Sequence, residues 1–187
     1  MDHALSRLLD RSAIQDLLAR YARGVDRRDW ALVRSTFHED ALDDHGDFKG
    51  NVDGFIEWVK RRHATIPQSM HFLGNCLIEF ADDDTAVVET YFLALQRLDA
   101  DTNKTAFAML GGREIDTSRG IDMEVLGRYV DRMERRHSDW RIARRVVVFE
   151  AIRIQPNGGP ALNPNWCTAK RDATDPLFRV RAEASLA

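Results

Sequence analysis

Apolar residues recur every three or four positions from Ile14 through Leu17, Leu18 and Tyr21 to Val25, with Gln15, Asp16, Arg20 and Arg23 between them. That period predicts an amphipathic helix, capped by Ser6 or Ser12 and weakened at its end by Gly24. WALVRSTF, residues 30–37, predicts a second, shorter helix, whereas HEDALDDHGDFKG, residues 38–50, reads as a turn followed by a weak edge strand or loop. A third helix is expected from a cap at Asn51 or Asp53, burying Phe55, Trp58 and Val59, wetting Lys60, Arg61 and Arg62, and ending before Pro67.

From Gln68 the period changes to two. MHFLGNCLIEF and TAVVETYFLALQRL predict a long hairpin turning through residues 81–84, and MEVLGRYVDRMERR with WRIARRVVVFEAIRIQ predict another across residues 137–139. On the first of these strands, alternation places His71 with Leu73, Asn75 and Leu77, opposite Met70, Phe72, Cys76, Ile78 and Phe80. The polar stretch from Asp99 to Gly120 is expected to hold a short strand at Thr105–Leu110 and then a mobile loop. Helices first and long strands afterwards define an α+β domain over residues 1–155: a cone-shaped, curved, mixed or antiparallel sheet with N-terminal helices packed on it, enclosing a cavity. Residues 156–187 are expected to form an arm on this domain or on a neighbouring subunit, pinned by Trp166, Leu177 and Phe178.

Composition narrows the function. The chain of 187 residues suits one domain; its 30 acidic and 27 basic residues give a net charge of -3, with no basic block to suit nucleic acid or an anionic membrane. Neither a leader-like start nor a continuous apolar span is legible, so a cytoplasmic protein is expected. Cys76 and Cys167 match no metal spacing and are expected to be buried, inert thiols. His38, Asp40, Asp43, Asp44 and His45 contain imidazole and carboxylate donors, but their spacing is ordinary for a solvated acidic loop, so no metal site is assigned. Phosphate-loop and nucleophile-elbow motifs are missing too, which favours chemistry without a cofactor.

IQDLLARYARGVDRRDW, MHFLGN and WRIARR together resemble the nuclear transport factor 2-like superfamily over residues 6–155. Within it the chain is similar to the SnoaL-like branch, which includes scytalone dehydratase, hexachlorocyclohexane dehydrochlorinase and bile acid 7α-dehydratase. The resemblance implies an Asp–His dyad at Asp26 and His71, an arginine of the last long strand at Arg145, and a tyrosine at Tyr21.

The chemistry of these residues suits elimination. A neutral histidine is a base poised near neutral pH, a carboxylate fixes its tautomer and stabilises the imidazolium, and a buried phenol or guanidinium polarises the leaving group or enolate. The expected function is a cofactor-independent lyase of the dehydratase type, acting on a hydrophobic cyclic or aromatic hydroxylated small molecule; an isomerase or carbon–carbon lyase could use the same groups. Each residue also has a plainer reading: Asp26 in a solvated helix end, His71 as a satisfied core histidine, Tyr21 as packing, Arg145 in a surface charge ladder. On an ideal helix Tyr21 and Asp26 stand about 140° apart, so both reach one cavity only if the helix frays or turns near Gly24. On the plainer readings the chain is a non-catalytic binding or assembly subunit resembling the small subunit of ring-hydroxylating dioxygenases. Either function is expected in a homodimer or homotrimer. Phe37, Phe48, Phe55, Trp58, Phe72, Tyr91 and Phe107 are candidate pocket aromatics.

Overall fold

The structure, a computed structural model, describes residues 3–99 and 120–186. The short strand expected at Thr105–Leu110 and the pocket candidate Phe107 lie outside the described residues. Helix α1 (His3–Arg27) already begins at His3, upstream of both expected caps, and runs without interruption past Gly24. Gly24 does not loosen the helix; it is the point of close approach to α2 (Trp30–Ser35). A Cβ there would meet Val33 Cγ2 at 2.7 Å. Asp29 caps α2 by accepting from the Leu32 amide at 3.0 Å, as its short oxygen-bearing side chain permits.

The acid-rich stretch after α2 folds as strand β1 (Phe37–Asp44), a correction to the turn expected there. Its carboxylates find partners remote in sequence or across a tight turn: Asp40 meets Arg136 at 2.7 Å, and Asp44 meets Lys49 at 2.9 Å. Strand β2 (Lys49–Asn51) pairs back on β1, and α3 (Val52–His63) follows, capped by Asn51, which accepts from the Gly54 amide. The long strands β3 (Gln68–Phe80), β4 (Thr85–Leu98), β5 (Ile121–Arg136) and β6 (Asp139–Pro156) form the expected hairpins. The β5–β6 turn uses positive φ at His137 (52°) and Ser138 (71°), the twist that matches two-residue hairpins. The sheet order is β2-β1-β6-β5-β4-β3, antiparallel throughout except for the parallel β1–β6 pair. It is an α+β fold with a mixed, curved sheet that does not close into a barrel.

One bulge changes which side chains face inward. Between Leu73 and Cys76, β3 carries one residue more than β4, so alternation restarts there. Ser69, His71 and Leu73 therefore share the interior with Cys76, Ile78 and Phe80, whereas Met70, Phe72 and Leu77 are exposed. Unbroken alternation had placed Cys76, Ile78 and Phe80 opposite His71. The core forms where Ile14, Leu17, Leu18, Tyr21 and Val25 of α1 pack over Phe37, Phe55, Tyr129 and Ile142, with Tyr21 edge-on to both Phe37 and Tyr129.

The C-terminal segment ends in α4 (Pro176–Glu183), capped by Asp175. Of the expected anchors Trp166 is exposed and Leu177 and Phe178 are half-buried, and polar residues add to the hold, since Arg171 and Asp175 are buried. Asp175 accepts from the Lys170 and Leu177 amides and pairs with Arg27 at 3.2 Å. Cys167 is exposed and Cys76 only partly buried, so the expectation of two buried thiols does not hold. No helix among the described residues is long and apolar enough to cross a membrane.

Candidate functional site

The end of α1 and the start of β3 meet at Asp26. Its Oδ1 lies 2.7 Å from His71 Nδ1 and accepts from Ser69 Oγ at 3.1 Å, and its Oδ2 accepts from the His71 amide at 2.8 Å. Burial pushes this carboxyl up, but the hydrogen bonds from His71 and Ser69 outweigh burial and hold it below its ordinary value. An ionised carboxylate only accepts, so the proton of neutral His71 sits on Nδ1 and the lone pair on Nε2. That nitrogen has no hydrogen-bond partner among the described residues.

No fraying of α1 is needed to bring Tyr21 and Asp26 inside. The last turns of the helix are enclosed on two sides: Tyr21 packs down on the sheet against Phe37 and Tyr129, and Asp26 reaches sideways to the first residues of β3. Tyr21 and His71 line one interior cavity with Tyr129, Phe92, His45 and Arg62. The cavity holds about 30 Å³, space for a single water. Burial pushes the Tyr21 phenol well above its ordinary value, with the nearby Arg145 charge opposing only in part, so the phenol remains a donor.

Arg145 is fully buried and belongs to no surface ladder. It lies behind the cavity, not on its wall. Its Nε and Nη2 donate to both oxygens of Asp131 at 2.8 and 2.7 Å, and its Cζ sits 4.1 and 4.0 Å from the ring centres of Tyr21 and Tyr129. Burial alone would lower its pKa; the Asp131 charge and the two hydrogen bonds reverse this and keep it cationic. The structure thus brings Asp26, His71 and Tyr21 to one place and sets Arg145 one layer beneath the phenol.

Other groups here are not expected at the cavity from sequence: Arg62 is read as solvent-facing, and Asp43 and His45 as part of a solvated acidic loop. Arg62, expected on the wet face of α3, lines the cavity, with Nη2 3.3 Å from Gln96 Oε1; burial lowers its pKa to about 10. Its position in the period Phe55, Val59, Arg62 marks it as inward-facing, a signal masked by the basic run around it. His45 also lines the cavity, held by buried Asp43 at 3.0 Å and stacked on Phe55 with ring centres 5.1 Å apart. Of the expected pocket aromatics, Phe72 and Tyr91 point outward. Phe92 and Phe149 line the cavity instead.

Behind Asp26, Arg171 closes the end of α1. It donates to the carbonyls of Val25 (2.8 Å), Asp26 (2.9 Å) and Ile66, and reaches His63 Nδ1 at 2.9 Å. These include last-turn carbonyls that the helix itself cannot satisfy. Burial, then the charges of Arg62 and Arg171, push the pKa of His63 well below its ordinary value. The folded chain therefore holds His63 neutral while the unfolded chain binds a proton near pH 6.5, so its contribution is complete above that pH and is lost as pH falls. Urea unfolding at pH 7.5, 6.5 and 5.5 is expected to show stability falling by up to about 1.4 kcal/mol per pH unit below about pH 6.5. His63→Gln should flatten that slope; an unchanged slope would assign the effect elsewhere.

A histidine–carboxylate pair and a phenol therefore meet in the interior of an α+β fold. The chain belongs to the SnoaL-like family of the nuclear transport factor 2-like superfamily: the SnoaL-like domain matches residues 6–146. No curated protein matches it in sequence. Among solved structures it is similar to a hexachlorocyclohexane dehydrochlorinase, LinA type 3, from Novosphingobium barchaimii LL02, with 20% identity, 86% of this chain and 99% of that chain covered, and a TM-score of 0.68. A protein assigned as a scytalone dehydratase from Novosphingobium aromaticivorans DSM 12444 gives 18%, 87%, 97% and 0.64 for the same quantities. Another, assigned as an aromatic ring hydroxylase from Novosphingobium aromaticivorans, gives 25%, 79%, 94% and 0.64.

Proposed function

We propose that the chain is a lyase that eliminates water, or a comparable leaving group, from a hydrophobic cyclic or aromatic hydroxylated small molecule without a cofactor. The hydrogen bond from His71 Nδ1 to Asp26, which leaves Nε2 as the base, carries this reading. His71 takes a proton from a carbon acidified by a neighbouring carbonyl, Asp26 stabilises the imidazolium, and Tyr21 donates to the developing oxyanion. Arg145 acts through Tyr21, whose ring it underlies and whose donor end its charge strengthens. Isomerisation and carbon–carbon cleavage share the first step and differ in the fate of the carbanion.

The small cavity favours a second reading, in which the interior is closed and the chain binds or assembles without catalysis. Against that stands what fills the cone: Arg62, His45, His63 and Gln96 line it, and polar side chains are poor filling for an inert core. Phe149 lines the cavity while 38% exposed, so the cavity is separated from solvent there by a single side chain. The two readings separate in a proton-exchange experiment in D2O with cyclic ketones carrying β-hydroxyl or β-chloro groups. Deuterium incorporation at the α-carbon and product formation, both lost in His71→Ala, are the expected result. Ring compounds bound with no exchange, or exchange equal in wild type and His71→Ala, would leave the binding module standing.

A further inference from the structure

We propose that His45, held by Asp43, is a second catalytic residue of the same cavity and supplies the proton that the leaving hydroxyl needs to depart as water. This rests on the elimination reading of His71 and Asp26. The observation is geometric: the histidines of two histidine–carboxylate pairs line one cavity of about 30 Å³, one from the β3 side and one from just beyond the end of β1. Both rings thus line the same small space.

His45 is built in as firmly as His71. Its amide donates to the Phe48 carbonyl at 2.7 Å across a turn in which Gly46 has φ of 75°. Its ring is fixed between Phe55, 5.1 Å away and nearly parallel, and Trp58 at 5.5 Å. Nδ1 faces Asp43, and Nε2 has no hydrogen-bond partner among the described residues. Asp43 is buried on β1 opposite Arg145, in register with it on β6.

The two carboxylates differ in what satisfies them, and the difference divides the labour. Asp26 accepts from three donors, Ser69 Oγ, the His71 amide and His71 Nδ1. Among the described residues Asp43 accepts from His45 alone, and its Oδ2 is buried with no partner. Around His45 stand Asp43, Asp131, Arg145, Arg62, Tyr21 and Tyr129. Asp131 and Arg145 neutralise each other in a bidentate pair, which leaves the charge of Asp43 unmatched next to His45. A buried carboxylate with one oxygen unpartnered calls for a donor beside it, and the His45 ring is the group placed there.

The step balances. His71 Nε2 takes the carbon-bound proton, the C–H electron pair becomes the new C=C bond, and the C–O bond breaks with its electrons on oxygen. The proton from His45 Nε2 converts that oxygen to water. Neutral His45 is then recharged, and protonated His71 discharged, through solvent. A chloride leaving group needs no such proton.

Leaving-group dependence tests this with the protein whole. His45→Gln keeps a donor for Asp43 but has no transferable proton. It is expected to slow elimination of water from a β-hydroxy cyclic ketone on the order of 10²–10⁴-fold, and to slow α-proton exchange and elimination of chloride from the β-chloro analogue by at least about tenfold less than that. Retained exchange also shows that the variant is folded. Equal loss in all three assays, or loss in none, overturns the role of His45 and leaves His71 untouched. A wild type that exchanges no proton overturns the elimination reading and this one with it. Should His45→Gln fail to fold, the wild type decides: a solvent deuterium isotope effect on water loss that chloride loss lacks is expected. Equal isotope effects on the two reactions overturn the assignment.

Discussion

Asp26→Asn is expected to lower turnover on the order of 10²–10⁴-fold with little change in the melting midpoint, and His71→Ala to match or exceed that loss. The carboxylate fixes the proton on Nδ1 of His71 because it can only accept. An asparagine that keeps its amide oxygen toward the His71 main-chain N–H turns its NH2 toward the ring, so Nδ1 must become the acceptor and the proton moves to Nε2. His71 would remain in place with its reactive face reversed, which is why activity should fall much further than stability. The pair also has a defined pH range. The pKa of Asp26 is depressed in the folded chain, so its stabilising contribution is present above the ordinary carboxylate value of 3.8 and is lost only as pH falls through the lower folded value. Initial rates and thermal unfolding on the same preparations check both halves. A variant at half the wild-type rate would remove Asp26 from the mechanism.

Asp131→Ala is expected to be the most destabilising single change near the site, by about 3–5 kcal/mol, because it leaves the guanidinium of Arg145 buried and unmatched. Arg145 is fully enclosed between Tyr21 and Tyr129, with Nη1 already lacking a partner, so no water can replace the carboxylate without opening the core. For a chain of this length the midpoint should fall by roughly 6–20 °C. The double change Arg145→Met with Asp131→Leu removes both charges while conserving volume and should recover most of the loss. Urea unfolding of wild type, Asp131→Ala and the double variant checks both expectations. A single-variant loss below about 1 kcal/mol would mean that the site relaxes or admits water.

The hairpins were legible because alternation over a dozen residues survives local irregularity; the side each residue faces was not. A single extra residue between Leu73 and Cys76 reverses the pattern, and nothing local to Gly74 and Asn75 announces it. Asp26, Tyr21, His71 and Arg145 could be named from family resemblance, but their layering could not: Arg145 lies beneath the cavity because Asp131, fourteen residues away on the neighbouring strand, holds it there. Asp43 and His45 were hidden by composition, since an acid-rich run reads as a turn until its partners on β6 are known. Arg62 was hidden by its basic neighbours, although the spacing from Phe55 and Val59 carried the information. Arg171 lay beyond sequence altogether, for its partners stand between 105 and 146 residues away.

Arg171 lies outside the span that the SnoaL-like domain matches, yet it grips the main chain of the residue whose side chain orients His71. Asp26 is thus held from both sides, by Ser69 and His71 at its carboxylate and by the arm at its carbonyl. Were a ligand to bind more tightly when the back of this residue is held, the arm would be held more tightly by the ligand, and by the same factor. A segment peripheral to the shared domain thus supports the dyad from behind without lining the cavity.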